Sequence, residues 1–262
     1  MPEQNKDEFY VGYLPEAPDS FAKLIRKTAW GLLVLSAVLA IALVVSQKSF
    51  YASVFEFGIV ESFEGVIKEK PYPVLFVQRP GDTGQLPGYS QYYLVSFGKY
   101  GTQAVVKGLD GKRVRLDGSL IYRDDQTMIE VLDGSVKTVD DAPQTMSNFA
   151  ANVLSGKRLG TFALTGKIVD SKCFFGVMNP GETKPHKACA IRCISGGIPP
   201  VFLVRSPEGL SNYFLLVSET GEMVNKQVLP LVAEPITING EVIQYENLMV
   251  LKADPETYQR VN

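Results

Sequence analysis

The distribution of apolar and polar residues separates a membrane-type segment from a long region of alternating pattern. From Ala29 to Ser46 no residue is charged, and the uncharged run between Lys27 and Lys48 is long enough to cross a hydrocarbon core of roughly 30 Å as a helix. Residues 1–28 are polar and have no sustained apolar period, which is typical of a loosely ordered tail. We therefore predict a tail at residues 1–28 and one transmembrane helix at residues 29–47.

The charges that flank the apolar run predict its orientation. Lys23, Arg26 and Lys27 precede it, whereas only Lys48 follows closely. The positive-inside rule then places the N-terminal tail in the cytoplasm and everything after about residue 50 outside, facing a periplasm or the exterior. A cleaved signal peptide or a buried core helix is the alternative, but the run is longer than a usual signal core and lacks a clear small-residue cleavage site.

Beyond the apolar run, the chain repeats a series of strand-like segments. Each copy opens with an alternating segment around a glycine, continues with an apolar strand, and ends with two further alternating segments, the first of which finishes in Asp-Gly or Asn-Gly. The paired segments are 63–68 with 164–169, 92–96 with 213–217, 112–118 with 234–240, and 127–132 with 248–252. The pattern indicates two copies of one small β-rich unit.

The two copies predict a pair of barrels. Each has about five strand signals, with a short helical or loop segment between the third and the fourth, and that order and size resemble the OB-fold, a five-stranded Greek-key barrel. We predict a mainly β fold, in which one N-terminal transmembrane helix is followed by two tandem OB-like five-stranded barrels, at residues 55–139 and 161–256. Two unrelated β-sandwich halves are the alternative.

The segment between the barrels, residues 140–160, is predicted to be a linker with a short helix. Residues 146–154 carry apolar side chains at helical spacing, which favours an amphipathic helix that packs one barrel on the other.

The charge balance limits the partners of the protein. Lys and Arg number 26 against 28 Asp and Glu, for a net charge of −2, so no large positive field is available to attract a phosphate backbone. We expect the partners to be the lipid bilayer and another membrane or periplasmic protein, and not nucleic acid.

One window of the second unit contains all the candidate chemistry. The 3 cysteines and the only histidine of the chain are Cys173, His186, Cys189 and Cys193. Alignment of the two units places this window in an insert, residues 171–200, that the first unit lacks. Cys173 is expected to end the first strand of the unit, and residues 185–194 to form a helix that Gly196 and Gly197 terminate.

The spacing of these residues predicts a metal site. On a helix His186, Cys189 and Cys193 share one face, and Cys173 reaches them from the strand. Three thiolates and one imidazole are a standard set for tetrahedral zinc, so we predict a zinc site. Met178 is an additional ligand candidate. Nearby Lys184, Lys187 and Arg192 are expected to offset the thiolate charge.

Other assignments of the same cysteines stay open. An oxidising exterior favours a disulfide of Cys193 with Cys189 or Cys173, which leaves an odd cysteine. Soft sulfur ligands also suit copper, and a Cys-x3-Cys motif with a separate histidine resembles exported copper-handling proteins of the SCO type. The resemblance is limited to that motif, because here the histidine comes first, a third cysteine joins and no thioredoxin-like pattern surrounds them. An iron-sulfur cluster is a further alternative.

The residues around the window carry a second resemblance. Gly-x-Ile-Val-Asp-Ser-Lys-Cys before it and Cys-Ile-Ser-Gly-Gly-Ile-Pro-Pro after it are similar to uncharacterised bacterial membrane-anchored proteins with the same Cys/His loop. The resemblance implies an exported bacterial location, at the inner membrane. We predict a non-catalytic accessory or assembly module with a structural metal; a redox or copper-transfer protein and a zinc-dependent enzyme are the alternatives. No catalytic residue is predicted, since His186 cannot both bind a metal and act as a free base.

Overall fold

The structure of the protein is a computed structural model that describes residues 18–47, 53–78, 89–139, 156–178 and 180–261. The chain forms two compact units, one that holds the N-terminal helix and one that holds both β-sheets. The predicted helix at 146–154 and most of the predicted linker at 140–160 lie outside the described residues.

Helix α1 spans Asp19–Gln47. Its 29 residues correspond to a length of about 44 Å at 1.5 Å per residue. The part from Phe21 to Ser46 is long and apolar enough to cross a membrane, and none of its most apolar stretch is buried within the protein. The helix also includes the end of the predicted tail, with Lys23 and Lys27, and its first residue, Asp19, is favourably placed near the positive end of the helix dipole.

The first sheet closes into a five-stranded barrel. The strands of the whole sheet are β1 (Ser53–Phe55), β2 (Glu61–Lys68), β3 (Val74–Gln78), β4 (Tyr89–Val95), β5 (Arg113–Arg123), β6 (Gln126–Val131) and β7 (Lys137–Thr138). Strands β5, β2, β3, β4 and β6 are neighbours in that order, and β6 pairs with β5 to close the barrel. Among the described strand pairs of this barrel only β4–β6 is parallel, while β1 and β7 both extend the sheet from β5.

The second sheet repeats this arrangement. Its strands are β8 (Lys157–Asp170), β9 (Pro200–Arg205), β10 (Ser211–Val217), β11 (Pro235–Tyr245), β12 (Leu248–Lys252) and β13 (Gln259–Arg260). The order β11, β8, β9, β10 and β12 is closed by β12 on β11, with a parallel β10–β12 pair. The predicted fold class, a mainly β protein with an N-terminal apolar helix and two five-stranded barrels, is confirmed.

Glycines at equivalent positions show why the two sequences repeat. A Cβ added to Gly65 would lie 2.2 Å from the carbonyl oxygen of Phe76, and one added to Gly166 would lie 2.2 Å from that of Leu203. Both glycines therefore allow the first strand of a barrel to press against the second. Gly118 and Gly240 form a second such pair, where an added Cβ would approach a carbonyl oxygen at 2.5 and 2.6 Å.

Three groups of buried side chains hold the sheets together. One lies inside the first barrel, around Leu75 and Leu94, and one inside the second, around Ile168 and Phe202. The third contains residues of both barrels, such as Tyr93 and Phe174. Burial of this shared apolar surface opposes separation of the barrels.

The predicted insert lies between β8 and β9. It contains a π-helical turn (Cys173–Val177), a 3-10 turn (Lys184–His186) and helix α2 (Lys187–Ser195), followed by Gly196 and by Gly197 at φ +98°. In the second barrel, helix α3 (Asn225–Val228) and a 3-10 turn (Leu229–Leu231) then connect β10 to β11.

Two details of the predicted insert were wrong. Cys173 does not end the strand, because the Asp170 carboxylate accepts a hydrogen bond from its backbone N–H at 2.8 Å and turns the chain out of β8. His186 lies in the 3-10 turn and serves as the N-cap of α2, so it precedes the α-helix that holds Cys189 and Cys193.

Candidate metal centre

The four predicted ligands cluster beside the end of β8. The Sγ atoms of Cys173 and Cys193 lie 3.8 Å apart. Ligand atoms of Cys173, His186 and Cys189 all lie within 4.8 Å of one another. Cys193 and His186 are buried, Cys173 and Cys189 are half-buried, and all three cysteines are free thiols. The insert therefore brings its soft ligands to one point.

A buried carboxylate orients the histidine. His186 Nε2 lies 2.9 Å from Asp170 Oδ2, and both side chains are almost fully buried. An ionised carboxylate only accepts hydrogen bonds, so Nε2 carries the proton and the lone pair stays on Nδ1. Nδ1 is buried and has no hydrogen-bond partner among the described residues. A carboxylate on one ring nitrogen and an unpaired lone pair on the other are the usual arrangement of a metal-binding histidine.

The sulfur spacing also fits a metal. Zinc–sulfur bonds of about 2.3 Å place two sulfurs of a tetrahedral site about 3.8 Å apart, which is the distance between Cys173 and Cys193. Asp170, Cys173 and Cys193 form a second group whose ligand atoms lie within 4.8 Å of one another. The residues present could thus hold a metal ion, with Asp170 placed to orient His186 or to act as a ligand itself.

A lysine from the first barrel completes the surroundings of the sulfurs. Lys99 Nζ donates a hydrogen bond to Cys189 Sγ at 2.6 Å and lies 3.9 Å from Cys193 Sγ. This contact raises the pKa of Lys99, chiefly through the hydrogen bond to Cys189, so the ammonium stays charged. The positive charge next to the sulfur cluster therefore comes from the other barrel.

The three cations that the sequence predicted to offset the thiolate charge have different surroundings. Lys187 forms an ion pair with Glu234 at 2.6 Å, and Lys184 and Arg192 are exposed to solvent. That these neighbours offset the thiolate charge stays a prediction.

The two thiols that face each other influence each other's ionisation. The hydrogen bond between them, burial and the Asp170 carboxylate together raise the pKa of Cys173. The same hydrogen bond lowers the pKa of Cys193, and the charge of Lys99 acts in the same direction. The two thiols of this pair therefore differ in their surroundings, and Cys193 is the one that the Lys99 charge affects.

Both barrels hold the centre in place. Lys172, one residue before Cys173, donates hydrogen bonds of 2.8 Å to the carbonyl oxygens of Ser96 and Gly98 and forms a buried ion pair with Glu130. On another side, the guanidinium group of Arg123 lies over the Phe174 ring and donates to the Phe174 carbonyl oxygen. Cys173 is thus flanked by residues that contact the first barrel.

The far end of the insert is also fixed. Asn225 Nδ2 donates to the carbonyl oxygens of Ile194 and Ile198, at 2.7 and 2.9 Å, and so satisfies acceptors at the end of α2. The Met178 side chain is 38% exposed. Its role as an additional ligand stays a prediction.

Comparisons with protein-family models, with curated proteins and with solved structures give no match for this chain. The function is therefore inferred from the chemistry of the site.

Sequence reasoning missed three residues that surround the cluster, namely Asp170, Lys172 and Lys99. Asp170 had a recognisable signal, since it is an acidic residue at the end of an apolar strand next to the first cysteine. Lys172 and Lys99 had none, because their contacts depend on how the two barrels pack.

Proposed function

We propose that this protein is a membrane-anchored, extracytoplasmic zinc-binding module of an accessory or assembly type, in which the metal has a structural role. Cys173, His186, Cys189 and Cys193 are the proposed ligands. The observation that carries the proposal is the 3.8 Å separation of two free sulfurs beside a buried histidine whose Nδ1 has no partner among the described residues. Zinc bound there would link the insert to the end of β8.

The ligand number supports a structural metal over a catalytic one. Structural zinc sites have four protein ligands, whereas catalytic zinc keeps a position open for water. The burial of His186 and Cys193 supports the same assignment, because a substrate has no access to these two ligands.

The apolar helix and the barrels supply the remaining elements of the proposal. Helix α1 is proposed to anchor the protein in a bacterial inner membrane, with the barrels on the periplasmic side in agreement with the flanking charges. Barrels of the OB type are supported by the strand order and the parallel β4–β6 pair. Exposed Phe57, Ile59 and Val60 of the first barrel suit contact with another membrane or periplasmic protein.

Copper or redox transfer is the second candidate. It is favoured by the half-buried state of Cys173 and Cys189, which leaves part of the cluster within reach of a partner. A soft set of three sulfurs also suits Cu(I).

The metal content of the full chain, purified in detergent, tests the proposal. We expect zinc at one ion per chain that survives mild oxidation, loss of zinc in Cys193→Ser, and unchanged zinc in the control Met249→Leu, since Met249 lies on β12 outside the insert. Copper or iron with a reversible optical change would favour redox transfer. Metal-free protein in which only one thiol reacts would contradict both proposals and support a disulfide.

A further inference from the structure

Lys99 lies in a turn whose other side chains face solvent. Ser96 N–H donates to the Tyr100 carbonyl oxygen at 2.9 Å, and Gly98 at φ +72° allows the chain to reverse. Phe97 and Tyr100 are 66% and 57% exposed, whereas Lys99 is half-buried. A lysine normally extends into water and leaves apolar side chains inside. This turn has the opposite arrangement, so a specific interaction must hold Lys99.

The turn is fixed to the insert from both sides. Lys172 binds the carbonyl oxygens of Ser96 and Gly98. Gly101 N–H donates to the Gly196 carbonyl oxygen at 3.0 Å. A Cβ on Gly196 would lie 2.0 Å from the Lys99 carbonyl oxygen, so the two backbones touch. Contacts between the backbone of the turn and the backbone of the insert therefore fix the position of Lys99, in addition to the contacts of its flexible side chain.

Within the part of the chain that the structure describes, the partners of the Lys99 side chain are cysteine sulfurs. None of the carboxylate ion pairs among the described residues includes it. Its Nζ instead contacts the sulfurs of Cys189 and Cys193.

The charge of a loaded site explains this contact. Three thiolates and the Asp170 carboxylate carry four negative formal charges, of which a divalent ion offsets two. Uncompensated charge in a site of this burial is unfavourable. The Lys99 ammonium offsets a third charge and donates to the half-exposed thiolate of Cys189.

We propose that Lys99 is a positioning residue of the metal centre, which therefore belongs to both barrels and not to the second barrel alone. Lys99 acts through Cys189: it stabilises the metal-bound thiolate by charge and by an N–H···S hydrogen bond. This inference rests on the proposed metal site and adds to it a residue that lies 90 positions away in sequence.

The test compares full-length variants at Lys99. In Lys99→Met we expect metal affinity, measured by competition with a chelator, to fall by about 10- to 100-fold, as for other partners of metal ligands. Lys99→Arg keeps the charge and should recover most of that loss. The matched control is Lys187→Met, since Lys187 is also close to the ligands in sequence but pairs with Glu234; its affinity should equal that of the wild type.

A spectroscopic measurement separates a role at the sulfur from a general structural role. A hydrogen bond to a thiolate stabilises its lone pair, so the sulfur-to-metal charge-transfer band of the Co(II)-loaded protein should move to longer wavelength in Lys99→Met and return in Lys99→Arg. An unchanged band together with wild-type affinity in Lys99→Met would overturn the inference.

A measurement on the wild-type protein covers the case in which Lys99→Met does not fold. Acylation of Lys99 by an amine reagent, followed by mass spectrometry, should be slower in Zn(II)-loaded than in chelator-treated protein, with Lys107 as the exposed reference. Equal rates would contradict the inference. If the wild type binds no metal at all, the proposed function fails, whereas metal-binding wild type with unaffected Lys99 variants refutes only the role of Lys99.

Discussion

The buried ion pair between Lys172 and Glu130 gives the sharpest test of how the two barrels are joined. Lys172 precedes the first cysteine of the cluster, and Glu130 lies on β6 of the first barrel. Their side chains are 6% and 12% exposed. In Lys172→Met the side-chain volume is largely kept, but the Glu130 carboxylate loses its cation, and the carbonyl oxygens of Ser96 and Gly98 lose a donor.

The structure sets the magnitude of the effect. Removal of one partner of a buried pair leaves an uncompensated charge and typically lowers the free energy of unfolding by about 3–5 kcal/mol. The double variant Lys172→Met with Glu130→Gln has no such charge, so we expect it to recover the part of the loss that the unpaired carboxylate causes, while the carbonyl oxygens of Ser96 and Gly98 stay without their donor. Pairs closer to solvent contribute less, about 0–1 kcal/mol when fully at the surface, and Lys187 with Glu234 is the matched control because its half-buried side chains are 30% and 24% exposed.

Urea unfolding of the full chain in detergent, followed by near-ultraviolet circular dichroism, measures these differences. Lys172→Met should unfold at a clearly lower urea concentration than Lys187→Met. The reasoning would be refuted if the two single variants lost equal stability. It would also be refuted if Glu130→Gln did not relieve the effect of Lys172→Met.

Two further predictions follow from the close contacts of the second barrel. Gly166→Ala should lower the free energy of unfolding by about 1–3 kcal/mol, because the added Cβ meets the Leu203 carbonyl oxygen; a urea midpoint equal to that of the wild type would contradict this. Asp170→Asn should weaken metal binding by about 10- to 100-fold in chelator competition, because the carboxylate that fixes the tautomer of His186 is lost; unchanged affinity would show that Asp170 does not orient the ligand.

The repeated pattern of the chain predicted the barrels because both copies must meet the same requirements for pairing and burial of neighbouring strands. Alternating side chains specify which face of a strand is buried. Gly65 and Gly166 mark the same close contact between first and second strands in each barrel. Such constraints act between neighbouring strands and therefore appear in the sequence as matching residues at matching places.

The cluster of cysteines and histidine was predictable for a related reason. Its four residues come from one insert of the second barrel, so their proximity in sequence already limits their distance in space. The turns within the insert were less predictable. The hydrogen bond from the Cys173 N–H to the Asp170 carboxylate decides where β8 ends. An aspartate carboxylate can accept hydrogen bonds from several nearby backbone N–H groups, so the sequence does not specify which of them it binds.

The sequence by itself thus determined the apolar helix, the duplicated β-rich unit and the members of the Cys/His cluster, since each depends on residues that are close in the chain or repeated along it. Only the tertiary structure decided which charges surround the cluster. Lys99 reaches Cys189, while Lys187 turns to Glu234, because packing of the two barrels brings distant turns into contact and the backbone of the insert directs nearby side chains elsewhere.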